Sequence, residues 1–299
     1  MTEETDAPEI GPAAQRQTWI TPLFVMICVG IHIGLLMRED RYTWETLARF
    51  GHLTAERIWG EGGYWAILTT TFVHLEIWHL AFNMYWLWVL GSKLELAIGW
   101  WRFMLFYLAA AFIASAFQLA VSDTTGIGAS GAVYAIFGFM WIARARYPGF
   151  AELMNDKTVK LFLVWLVVCI VMTRLNLLPV ANTAHFAGLL FGAAIAEATG
   201  KRHRTLASVG SVVLVILAIV PLFWCPWSAA WLKTEAYREH AAQHYEKAIA
   251  FYDRVLEKEP QNSWAYQNRS YAHQSIGDMK GAREDLEKAR AIDPSIPLE

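Results

Sequence analysis

Residues 126–134 read Gly126-Ile127-Gly128-Ala129-Ser130-Gly131-Ala132-Val133-Tyr134, a glycine-rich loop that gives way to an apolar helical run. The pattern puts Ser130 at the start of a helix. There, unpaired backbone N–H groups and the positive end of the helix dipole stand beside the hydroxyl and can hold a developing oxyanion. Serine beside glycine is also a common way for membrane helices to pack closely, so the stretch gains meaning only from its surroundings.

Those surroundings are apolar. Runs near 19–37, 75–92, 103–122, 124–143, 159–173, 175–196 and 205–232 are mostly long enough for a membrane-crossing helix, which takes about 20 residues. The count is seven spans. The weakest is 159–173, where Lys160 and Arg174 bracket a run that crosses only if their side chains snorkel. Of 299 residues, 56% are hydrophobic and 17% charged, with 15 Trp, a profile suited to lipid. A net charge of -2, with basic residues in short clusters between apolar runs, excludes a nucleic-acid partner. Cys28, Cys169 and Cys225 are far apart and lack metal-ligand spacing, so they read as packing residues and no metal or cofactor is expected. Lys93, Arg102, Arg144, Arg146, Lys157, Lys160, Lys201, Arg202 and Arg204 fall in alternate loops, which favours a cytoplasmic N-terminus and, after seven spans, an outside C-terminus.

The chain divides into an N-terminal tail over 1–18, expected to be disordered, a membrane domain over 19–232 and a soluble helical domain over 233–299. Within the last, Ala248, Tyr252, Val255 and Pro260 recur 34 positions later as Ala282, Leu286, Ala289 and Pro294. Small residues between helices and a closing proline at that period resemble the tetratricopeptide repeat, an interaction module, which implies a protein partner for this domain. The expected fold class is therefore all-α: a polytopic helix bundle followed by a small helical-repeat domain.

Polar groups within a bilayer are costly, so each requires a partner or a function. That criterion selects Glu76, His79, Asn83, Ser130, Asn182 and His185, with His32 read as a bystander. His185 has glycines three and seven positions after it, Gly188 and Gly192, on its own helical face. The run after Ser130 carries Gly131, Ala135 and Gly138, so the two helices can pack closely enough to bring the imidazole to the hydroxyl as general base. His79 and Asn83, spaced i,i+4, point the same way and offer either two oxyanion donors or an interhelical clamp.

Taken together, His74-Leu75-Glu76-Ile77-Trp78-His79-Leu80-Ala81-Phe82-Asn83, then Gly128-Ala129-Ser130-Gly131, then His185-Phe186-Ala187-Gly188 with Gly192 resemble the rhomboid intramembrane proteases in motif, order and helix placement, over roughly residues 64–198. The resemblance implies a rhomboid-like bundle of six core spans plus a seventh. It implies Ser130 as nucleophile and His185 as base, without a carboxylate. Tyr134 would stack on the His185 ring, and His79, Asn83 and the Ser130 N–H would form the oxyanion hole. Gly128 would shape the loop, Asn182 and Gly188 would support the histidine, and Glu95 would have a structural role. Implied partners are the lipid bilayer and single-span membrane protein substrates; the implied location is the bacterial inner membrane. One departure is Trp65-Ala66, where the family often has Trp-Arg. A catalytically silent, client-binding relative is the alternative, although such relatives typically lose the serine or the histidine.

Overall fold

The computed structural model describes residues 17–201 and 203–297, so nearly all of the expected tail over 1–18 lies outside the described residues. All regular structure among the described residues is helical. After α1 (Ile20–Leu36), a long first loop holds the short helices α2 (Trp44–Arg49), α3 (Ala55–Gly60) and α4 (Ala66–Thr69). Next, α5 (Ile77–Trp86) continues through a π turn at Leu87–Gly91 into α6 (Ser92–Ile98). There follow α7 (Trp100–Ser122), α8 (Ser130–Ala143), the short α9 (Pro148–Leu153), α10 (Asp156–Arg174), α11 (Asn182–Ala198) and α12 (Arg204–Phe223). Four further helices complete the chain: α13 (Ala229–Ala241), α14 (Tyr245–Lys258), α15 (Ser263–Ser275) and α16 (Met279–Ile292).

Helices occupy all seven expected apolar runs, with different ends. The run 124–143 is helical only from Ser130, because Gly126 and Gly128 take positive φ in the preceding loop. The run 175–196 is helical only from Asn182, after a turn at Leu175–Asn176 and an irregular segment containing Pro179. The run 205–232 breaks at Phe223, where Trp224 is extended and Pro226 follows, and α13 starts afresh at Ala229. By contrast, the weakest expected span forms a 19-residue helix, because the Asn155 side chain caps it by accepting from the Lys157 and Thr158 N–H groups. By length and composition alone, α7 and α12 could each cross a membrane; α1 and α8 are apolar but shorter.

At the centre stands α7, which buries Phe103, Tyr107 and Ile113 completely. On its periphery, α10 and α12 turn Val164, Val167, Val212 and Ile216 outward, an apolar exposure suited to lipid rather than water. Against α7 lie α8 and α11, the most intimately packed pair. A Cβ on Gly188 would run into the Gly131 carbonyl, and one on Gly192 into the Ala135 carbonyl. This is close backbone contact of the kind small residues permit, and it satisfies the packing face expected for His185.

Glu95 is buried, and its role is visible. Oε1 accepts from the Trp19 and Ile20 N–H groups at 2.6 and 2.8 Å. Oε2 accepts from the N–H and hydroxyl of Thr21, both at 2.8 Å. A carboxylate carried at the end of the α5–α6 unit thus satisfies the orphan donors that open α1.

At the opposite end of α7, Asp123 takes left-handed φ and caps α13. Its carboxylate accepts from the Ser228 hydroxyl and from the Ala229 and Ala230 N–H groups at 3.1 and 3.3 Å. The first loop meets the same helix through Lys233, 3.4 Å from Glu56. In the last four helices, Ala248, Tyr252, Val255 and Ala289 are buried at the repeated positions. Arg269 ties three of those helices together, with bonds to Asp285 at 2.6 and 2.7 Å and to Asp253 at 2.5 Å.

The α8–α11 contact leaves no volume for side chains. Gly192→Val is expected to destabilise the protein by at least about 1–3 kcal/mol, as core overpacking does, and to lower its thermal midpoint in detergent. An unchanged midpoint would show that the helices can separate at no cost.

Candidate active site

Ser130 is the first residue of α8, and His185 lies one turn into α11. The backbone contact between the helices sets their side chains together: His185 Nε2 is 2.8 Å from Ser130 Oγ. His185 is buried and Ser130 half-buried. With Nε2 accepting the serine proton, Nδ1 must carry the imidazole hydrogen. Among the described residues Nδ1 has no hydrogen-bond partner, so no carboxylate orients this ring. Orientation comes instead from packing against Tyr134, whose ring centroid is 4.8 Å from that of the imidazole at 31°. Tyr134 is fixed in turn by donating to the Phe162 carbonyl at 3.1 Å.

Gly128 has φ +105, and a Cβ there would lie 2.7 Å from His79 Cε1. Only glycine lets the loop press this closely on the histidine. Of the successive loop amides, that of Gly128 donates to the Thr70 carbonyl at 3.1 Å and that of Ala129 to His74 Nε2 at 3.3 Å. The Ser130 amide has no partner among the described residues and heads α8 beside its own hydroxyl. Asn83 is buried on α5, where Nδ2 donates to the His79 carbonyl at 2.9 Å; a second N–H of the amide remains. Asn182 donates to Thr173 Oγ1 at 2.8 Å and so joins the start of α11 to the end of α10. Gly188 supplies the helix contact described above.

These groups share a cavity of about 840 Å³. His79, Asn83, Ser130, Tyr134 and His185 line it, and its long walls are α5 and α10, which touch through Phe82 and Trp165 with ring centroids 5.4 Å apart. An acyl group in this space would meet a hydroxyl, an imidazole and a free backbone donor at one end and aromatic surface along the rest. Glu76 is exposed and accepts from the Tyr42 hydroxyl at 3.2 Å, at the rim. Among the described residues no acidic, histidine or cysteine cluster could hold a metal.

His32, read as a bystander, does not line the cavity but makes a structural contact behind it. Its Nδ1 donates to the His74 carbonyl at 2.7 Å, behind the ring that receives the Ala129 N–H. Sequence reasoning missed three further groups. Gln118, buried in α7, accepts from the Ala184 N–H at 3.1 Å and so holds the start of α11; a polar side chain in the middle of an apolar run was its signal. His52 and Thr70 sit in the first loop, where no helical periodicity ranks one polar residue above another, and only the folded loop shows what they touch.

The chain is similar in sequence to known proteins. Residues 61–202 match the family model described as the rhomboid domain. Rhomboid protease GluP of Bacillus subtilis (strain 168) is 26% identical over 251 residues, which is 83% of this chain and 46% of that protein. Rhomboid protease GlpG of Salmonella paratyphi A is 26% identical over 201 residues, 66% of this chain and 70% of that protein. GlpG of Salmonella typhi gives the same identity and coverage. The chain thus spans about half the length of GluP.

Gly128→Ala tests the fit between the loop and His79. Adding the methyl costs about 1–2 kcal/mol in backbone conformation alone and drives it toward the imidazole. Labelling of Ser130 by a fluorophosphonate should slow by about tenfold or more, with the thermal midpoint lowered by only the few degrees that this strain implies; labelling at the unaltered rate would show that the loop tolerates the displacement.

Proposed function

We propose, on the premise that residues 61–202 carry a rhomboid domain, that this integral membrane protein is a serine endopeptidase cutting single-span membrane proteins within or beside their transmembrane segment. The observation that carries the reading is the 2.8 Å approach of His185 Nε2 to Ser130 Oγ at the end of an apolar cavity. Ser130 Oγ attacks the scissile carbonyl while His185 takes its proton. The oxyanion is held by the unpaired Ser130 N–H, with His79 and Asn83 as side-chain donors from α5. His185 then returns the proton to the leaving amine, and water, activated by the same imidazole, releases the acyl group. Two members suffice because stacking on Tyr134 does the orienting that a carboxylate would otherwise do.

The cavity lies between α5 and α10, so we assign substrate entry to that side. A regular helix shields its own peptide bonds and satisfies their donors and acceptors internally, so the substrate must unwind where it enters. Helix-breaking residues near the cleavage point follow as a requirement. In this reading the seven apolar helices α1, α5–α6, α7, α8, α10, α11 and α12 span a bacterial inner membrane with the N-terminus cytoplasmic. The C-terminal helices, joined to Asp123 at the end of α7 that leads into the Ser130 loop, then lie outside. They form a tetratricopeptide-like module that takes a protein partner, and no cofactor enters the chemistry.

Purified protein in proteoliposomes is expected to cleave a single-span reporter, and Ser130→Ala and His185→Ala should each abolish cleavage. A mechanism-based serine inhibitor should modify Ser130, as read by mass spectrometry. Cleavage that survives either substitution would overturn the assignment.

A further inference from the structure

The loop bearing Ser130 is also held from the first loop, by groups that take no part in the chemistry above. Thr70, just after α4, grips it twice. Thr70 Oγ1 lies 2.5 Å from the Gly126 carbonyl, and the Thr70 carbonyl accepts from the Gly128 N–H at 3.1 Å. Between α2 and α3, His52 closes on the same hydroxyl, with Nδ1 2.9 Å from Thr70 Oγ1 and 3.3 Å from Thr125 Oγ1. All three side chains are buried, and the Trp44 ring lies 5.9 Å from the imidazole. A threonine hydroxyl has one hydrogen to give. The short contact to the Gly126 carbonyl takes it, so Thr70 Oγ1 accepts from His52, and the imidazole proton resides on Nδ1.

We propose that His52 is a positioning residue for the reaction. Through Nδ1–H it orients the Thr70 hydroxyl, which together with the Thr70 carbonyl fixes Gly126 and Gly128 and thereby the N–H and Oγ of Ser130. The loop needs such a hold because its two glycines, at φ +71 and +105, have the widest conformational freedom of any residue and no regular structure restrains them. The inference rests on Ser130 being the nucleophile, since what it explains is the placement of that serine.

The test uses the full chain in proteoliposomes with a single-span reporter. His52→Ala should lower kcat by about tenfold to a hundredfold, the scale of a misplaced reacting group, with KM changed by less than about twofold. His52→Asn, whose amide nitrogen reaches the place of Nδ1, should restore most of the loss. His52→Gln, whose donor extends toward the place of Nε2, should not. Thr70→Val should repeat the effect of His52→Ala and add little to it in the double variant, because the two act through one contact.

Hydrogen exchange gives a readout that needs no turnover: the amides of residues 126–130 should exchange faster in His52→Ala and slow again in His52→Asn. Unchanged exchange and kcat in His52→Ala would overturn the proposal. So would equal impairment of the Ala, Asn and Gln variants with a common fall in thermal midpoint, which would make His52 a folding residue only. If wild-type protein leaves the reporter intact while the exchange pattern holds, the protease reading fails and the loop contact stands; cleavage by wild type with the exchange pattern absent fails this inference alone.

Discussion

Backbone contact between α8 and α11 is the constraint on which the site depends. Lipid tails are as apolar as leucine, so helices in a membrane are not driven together by water and must gain their attraction from close packing. Gly131, Gly188 and Gly192 allow main chain to meet main chain, and the approach is set by atoms that cannot change rotamer. Side chains projecting from such a contact inherit its precision. The 2.8 Å separation of Ser130 and His185 and the tilted packing of Tyr134 on the imidazole are consequences of that approach.

A second constraint is that buried polar groups need partners, and the fold meets it by making them hold the site. Glu95 satisfies the donors that open α1, and Gln118 satisfies one that opens α11. His32 bonds the carbonyl of His74, and the His74 ring takes the Ala129 N–H. Thr70 occupies the Gly126 carbonyl and the Gly128 N–H. With the Gly128 and Ala129 amides engaged, the Ser130 N–H is left without a partner among the described residues. Asp123 extends the same logic beyond the bundle, ending α7 and starting α13, so the C-terminal helices attach close in sequence to the loop that carries the serine.

Much of this could be read before any coordinates. Glycine spacing after His185 and small residues after Ser130 told which faces meet, because helical period maps sequence offset directly onto direction. That His79 and Asn83 share one face was legible for the same reason, and both line the cavity. Helix ends were not: hydropathy carries on through 124–129, 175–181 and 224–228, where positive-φ glycines and prolines stop the helix while the side chains stay apolar. The contact that His32 makes was not legible, because its partner, the His74 carbonyl, is a backbone atom 42 residues away.

By itself the sequence determined the class of the fold, the apolar runs and the residue types at the centre, since these follow from composition and from a period that each segment carries alone. How the loop before α8 is held, and that the first loop and the last four helices reach the same end of α7, came only with the folded chain. Those are contacts between segments with no shared period, and nothing in either segment encodes the distance to the other until the chain has closed around both.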